Sequence, residues 1–247
     1  LTFAPLPRLG AGRAKPGSLA AMMERRYEAY KTHVVRPFFR EHVARLDRQI
    51  VLVDAMQAIN AGPEAVADLE RALTEILACF RQGRSGILSG LLAHRIDRIL
   101  IAATKADHIH HESHDRLQAI VRRLASRAAE RASLSGAQVE ALAMAAVRAT
   151  REGTVKQGRE TLPVIIGTPL QGETIDGERF DGETETAIFP GDLPEKAEDI
   201  LKPNGGEIRF VRFRPPKLER TAEGVTLSLP HIRLDRALQF LIGDRLA

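Results

Sequence analysis

The chain has 247 residues, 44% of them hydrophobic, which is enough for one large domain or two smaller ones. Its net charge is only +4, aromatics are 4% and Trp is absent, so a stacking platform for nucleic acid is not expected. A single cysteine, Cys79, excludes an internal disulfide framework and fits a reducing, cytoplasmic setting, and no apolar stretch approaches the ~20 residues of a membrane span.

Residues 1–17 read as coil rich in Pro and Gly, and Leu1 in place of Met reads as the start of a truncated piece of a longer protein. Gly12-Arg13-Ala14-Lys15-Pro16-Gly17-Ser18 is a near miss to the phosphate loop GxxxxGK[ST]. Its Lys is misplaced, Pro16 removes an N–H that the cradle needs, and no strand precedes it. Ser18 can cap a helix bearing Leu19, Met23, Tyr27, Tyr30 and Val34 at helical spacing, which Pro37 should end or kink. Phe38, Phe39, Val43 and Leu46 continue as a short amphipathic piece.

The run QIVLVD at residues 49–54 predicts a buried parallel strand. Gly62-Pro63 opens a helix whose inner stripe is Val66, Leu69, Leu73, Ile76, Leu77 and Phe80, with Cys79 as a small core residue. A Gly-containing stretch, 82–90, and a short apolar piece, 87–92, follow.

A second apolar run, 99–103, leads straight into Thr104-Lys105-Ala106-Asp107. A strand ending in (N/T)-K-x-D is the base-reading element of guanine-nucleotide-binding P-loop proteins. The carboxylate can accept from guanine N1–H and its 2-amino group together. Adenine has neither donor on that edge, and the unpaired carboxylate would cost roughly 1–3 kcal/mol. The Lys stem can lie over the base with its ammonium in water. The alternative for the same residues is a strand end with Asp107 capping the next helix.

His108, His110, His111 and His114 invite a zinc reading, but such sites need three or four converging ligands, and a polar cap region with no metal is the expectation. A helix bearing Leu117, Ile120, Val121, Leu124 and Ala128 follows, closed by Ser135-Gly136. Residues 137–150 are helical by propensity, yet the preceding alternation asks for a third parallel strand, which we expect within them. From 151 the chain turns rich in Gly, Pro and acidic residues, with β-like runs at 162–166, 187–189, 207–213 and 225–229. The doubled Asp-Gly-Glu of residues 176–183 reads as solvated turns rather than a calcium loop, and Arg209, Arg212 and Arg214 as the wet face of a strand. An amphipathic helix with Leu234, Ala237, Leu238 and Leu241 ends near Gly243. No set of residues argues for a catalytic nucleophile.

Several uncommon strings stand in order: YKTHVVRPF (30–38), DRQIVLVD (47–54), NAGP (60–63), ATKADH (103–108), LPHIRLD (229–235) and FLIGDRL (240–246). Together they resemble the YcjX-like family of P-loop NTPases, bacterial stress-associated proteins. The resemblance implies an α/β fold: the C-terminal part of a Ras-like P-loop NTPase domain, with parallel strands and flanking helices, plus a β-rich insertion and a C-terminal helix. Its implied divisions are a helical segment at 1–47, the partial nucleotide domain at 48–150, the insertion at 151–230 and the returning helix at 231–247. GTP or GDP with Mg²⁺ is the implied ligand, with the phosphate loop and Mg²⁺ ligands upstream of Leu1. Asp107 would pair with the base edge, Lys105 stack on the ring, Thr104 brace the loop, and Ala146 and Val147 offer a backbone N–H to the guanine O6. GTP hydrolysis in the full-length form is implied, and a membrane-associated protein partner is compatible with the family. Two rival readings keep the fold: a looser site that accepts ATP, because Thr104 replaces Asn, and a nucleotide-responsive scaffold with little hydrolysis.

Overall fold

A computed structural model describes residues 14–79, 96–202, 207–217, 220–221, 224–225 and 229–246. The expected Gly-containing stretch, the apolar piece at 87–92 and Phe80 lie outside the described residues. The chain divides into two compact units: residues 1–47 with 82–95, and residues 48–81 with 96–247.

The first unit is helical. Ser18 caps α1 (Leu19–Tyr30) by accepting from the Ala21 N–H at 3.2 Å. Pro37 does not end this helix. Residues Lys31–Val35 form a π-helical turn that runs directly into α2 (Arg36–Glu41), with Pro37 in its first turn. The wider turn accommodates a residue that lacks an N–H and would clash with the carbonyl four residues back in a regular α-helix.

The second unit is built on a three-stranded parallel sheet in the order β1 (Arg48–Val53), β2 (Arg98–Ala103), β3 (Gln138–Ala143). Residues 138–143 therefore form a strand against their helical propensity, because pairing with β2 buries Ala141, Leu142 and Ala143. β2 is central, and Leu100 and Ile101 are both buried on opposite faces. β1 is different. Among the described residues it pairs only with β2, and Ile50 and Leu52 are exposed on one face, so the run expected to be buried is an edge strand covered on one side.

Asp54 caps α3 (Ala55–Ala61), a helix with no strong sequence signal. Gly62, at φ 103°, ends it, and Pro63 starts α4 (Pro63–Cys79). Val66, Leu73 and Leu77 of α4 are buried, while Ile76 is exposed. The single helix expected after the histidines is two: α5 (His114–Leu124) and α6 (Ser126–Leu134), broken at Ala125. Leu117, Ile120, Val121 and Leu124 are all buried with Val66, Leu73, Ile99 and Ile101 in one core. Each such side chain contributes about 1.5–3 kcal/mol relative to exposure. The opposite face of the sheet is covered by α7 (Leu234–Ile242), whose Ala237 packs with Leu100, Ala102, Leu142 and Met144.

Between β3 and α7 the chain is β-rich. β4 (Arg151–Gln157) and β5 (Glu160–Gly167) form an antiparallel hairpin. Next comes the small hairpin β6 (Thr174–Ile175) and β7 (Glu178–Arg179). β8 (Thr186–Ile188) extends the first hairpin, and β9 (Gly191–Asp192) pairs with β10 (Glu207–Ile208). β11 (Arg220–Thr221) pairs with β12 (Gly224–Val225), and most of the expected 225–229 run lies outside the described residues. Asp176 and Gly177 both have positive φ, the turn that suits a two-residue hairpin, but the second Asp-Gly is no hairpin. Asp181 instead caps its own loop. Its carboxyl is held down to about 2 by bonds from the Thr184 side chain, then from the Thr184 and Glu183 amides. Arg212 and Arg209 pair with Glu173 and Asp176 at 2.6 and 3.1 Å, so they serve the hairpin.

Candidate functional site

The carboxyl end of the parallel sheet gathers the residues singled out in the sequence. Thr104 is tied to β1 twice: its N–H and its hydroxyl both donate to the Val53 carbonyl, at 2.9 and 3.2 Å. Lys105 follows in the left-handed region, at φ 62°. For a non-glycine residue that conformation costs roughly 1–2 kcal/mol. The surroundings hold it. The Ala106 N–H donates to the Met144 carbonyl at 3.2 Å, and His114 Nε2–H donates to the Ala106 carbonyl at 2.8 Å. The Lys105 ammonium reaches Asp54 Oδ2 at 2.6 Å.

Asp107 is 4% exposed. Its Oδ2 accepts the Ala149 N–H at 2.8 Å, and its carbonyl accepts the Thr150 hydroxyl. The loop that follows β3 is therefore locked onto Asp107. The same loop is anchored on its other side, where Ala145 exchanges two backbone bonds with Ile232 and the Arg148 N–H donates to the Pro230 carbonyl at 2.7 Å. Ala146 and Val147, between these anchors, are exposed. Their N–H groups have no partner among the described residues. The five sequence-picked residues thus lie on two adjacent loops at one sheet edge, where open α/β folds bind ligands.

Two residues of this cluster carried no site signal in the sequence. Asp54 reads as the end of a strand, yet it both caps α3 and holds Lys105. Phe210 is remote in the chain, but its ring centroid lies 4.7 Å from the Lys105 ammonium and 5.1 Å from the His108 ring, which stacks on it. Burial pushes the His108 imidazole below its usual pKa, and the Lys105 charge acts in the same direction. Burial lowers His114 as well. The four histidines do not converge: His108 faces Phe210 and Phe213, His114 bonds Ala106, and His110 and His111 lie side by side with ring centroids 4.3 Å apart.

Residues 1–246 match the YcjX-like family, DUF463. The chain is 34% identical over 227 residues to the "Ras-like GTPase YcjX" of Shewanella oneidensis, covering 91% of this chain and 44% of that protein. It is 35% identical over 227 residues to the Escherichia coli protein of the same name, covering 92% of this chain and 46% of the relative. The chain thus spans about half the length of the curated relatives it matches. No helix among the described residues is long and apolar enough to cross a membrane. With a family match from end to end and two relatives aligned over nearly all of its length, this chain belongs to the YcjX-like family.

Proposed function

We propose that this chain carries the base-reading half of a guanine-nucleotide site. The observation that carries the reading is the placement of Asp107. It is a nearly buried carboxylate at the carboxyl end of a parallel strand, braced by the Ala149 N–H and flanked by N–H groups of Ala146 and Val147 that have no partner among the described residues. That arrangement offers acceptors for guanine N1–H and the 2-amino group and donors for O6. Lys105, stretched to Asp54, lays its stem along the same edge, and Thr104 anchors the loop as an Asn amide would. The two relatives carry "Ras-like GTPase" in their names, which supports the same reading.

The described residues fit the base and not the phosphates. Phosphoryl transfer needs a phosphate cradle, Mg²⁺ and a positioned water. We assign those to the part of the relatives' length that these residues do not match, and these 247 residues alone should bind nucleotide weakly and hydrolyse none. Titration of fluorescent GDP and ADP, with Mg²⁺, against the full-length protein tests the base assignment. Saturable GDP binding with ADP at least roughly tenfold weaker, a 1.4 kcal/mol difference, is expected. Equal affinities would replace it with a general NTPase site that also takes ATP.

A further inference from the structure

We propose that His110, His111 and Glu112 form a binding site for a divalent transition-metal ion of the zinc class, independent of the nucleotide reading. The three residues are consecutive in the loop that enters α5. One ligand atom from each lies within 4.8 Å of the others. Ligands around tetrahedral zinc stand ~3.4 Å apart, given bonds of about 2.0–2.2 Å. Small side-chain rotations close the difference.

His110 makes this more than a surface cluster. Its residue is 7% exposed, and its Nδ1 is buried with no hydrogen-bond partner. A buried imidazole nitrogen left without a partner is unfavourable, and a metal ion is one way to satisfy it. The nitrogen stands 3.8 Å from Glu112 Oε2, too far for a hydrogen bond and close enough for both atoms to reach one ion. His111 is already oriented: its Nδ1 lies 2.7 Å from Glu152 Oε2. A carboxylate behind a histidine fixes the ring and raises its basicity as a ligand, leaving Nε2 for the metal. A cavity of about 80 Å³ beside His110 and Glu112, lined also by Ser113, Arg116 and Asp192, leaves room for a water as fourth ligand. Arg116, the cation there, is turned to the Leu193 carbonyl at 3.1 Å. Two nitrogens and one oxygen select zinc over magnesium, which prefers oxygen alone.

The test uses Zn²⁺ alone, titrated calorimetrically into the untagged full-length protein, with Co²⁺ as a spectroscopic reporter. One Zn²⁺ per chain and a strong tetrahedral Co²⁺ spectrum are expected. His111→Ala and Glu112→Gln, whose side chains are 61% and 68% exposed, should fold normally and each weaken binding at least tenfold. Glu152→Gln, which among the three proposed ligands touches only His111 and otherwise pairs with Arg148 at 3.3 Å, should weaken it by roughly 10–100-fold without changing the stoichiometry. No stoichiometric binding, a weak six-coordinate Co²⁺ spectrum, or affinity unchanged in the His111→Ala/Glu112→Gln double variant would overturn the site.

Discussion

The two ends of the parallel sheet are both charged, and they differ in what their charges are built around. At the amino end, Asp244 grips Arg48 through both carboxylate oxygens, at 2.5 and 2.6 Å, and Arg98 at 3.2 Å. Both arginines also donate to main-chain carbonyls of α7, at Leu241 and Phe240. At the carboxyl end, Lys105 is held in a left-handed conformation, and among the described residues His108 Nδ1 is buried without a partner and the N–H groups of Ala146 and Val147 have none. The first end is a clamp that joins α7 to β1 and β2. The second keeps strain and unused donors, as binding sites do. Neither charge nor a buried unpartnered atom marks a site alone, since among the described residues Arg48 Nε and Gln49 Oε1 are buried without hydrogen-bond partners at the amino end; strained backbone beside open donors does.

Substitution at each end separates the two roles. The largest effect on binding is expected from Asp107→Asn in the full-length protein. Losing a charged acceptor worth about 1.5–3 kcal/mol should weaken GDP roughly 10–100-fold. Xanthosine diphosphate should gain affinity, because an amide can donate to its 2-oxo group. Unchanged GDP affinity would remove the carboxyl end from the base assignment. The next largest effect should come from Asp244→Ala, which leaves Arg48, 10% exposed, without its carboxylate. A clear fall in Tm with unaltered GDP affinity is expected, and a loss of affinity would mean that the amino end is no mere clamp.

A pH series sharpens the same contrast. The hydrogen bond from Arg48 holds the Asp244 carboxyl below its ordinary range. An unfolded chain ionises it near about 3.9, so the clamp is fully present above that value and is lost as the pH falls through the lower folded value. The Tm gap between the parent protein and Asp244→Asn should therefore be widest near neutrality and shrink below about pH 4. A gap that stays constant there would place the stabilisation elsewhere. The smallest expected change in stability is that of Lys105→Gly. Relief of the left-handed backbone, roughly 1–2 kcal/mol, offsets the loss of an ion pair about one-third exposed and worth ~0–1 kcal/mol. Tm should hardly move while base binding weakens, and a large drop would make Lys105 a structural residue.

The parallel strands were legible because their apolar runs are short, bounded and alternate with helical stripes. The Thr104–Asp107 element was legible because it ends such a run. What escaped reading has physical causes. α3 is seven residues long and depends on the Asp54 cap, so it has too few turns for a periodic stripe. The Ala125 break leaves no mark in composition. Phe210 reaches Lys105 from across the β-rich region, a contact that no local pattern encodes. In sequence the four histidines read as a polar cap region. The structure instead groups His110, His111 and Glu112 where the chain enters the helix, and there adjacency in sequence replaces helical spacing.

β1 carries one more consequence. Its outer edge has no partner among the described residues, and Ile50 and Leu52 are 40% and 64% exposed beside it. A flat apolar strand with open N–H and C=O groups is a template for whatever strand arrives first, including the same strand of another molecule. Preparations of these 247 residues alone should self-associate as concentration rises. Leu52→Lys, a gatekeeper of the kind that guards natural sheet edges, should keep them monomeric in light scattering. Colloidal behaviour, and with it the concentration range open to any solution experiment, is thus governed by one strand's edge.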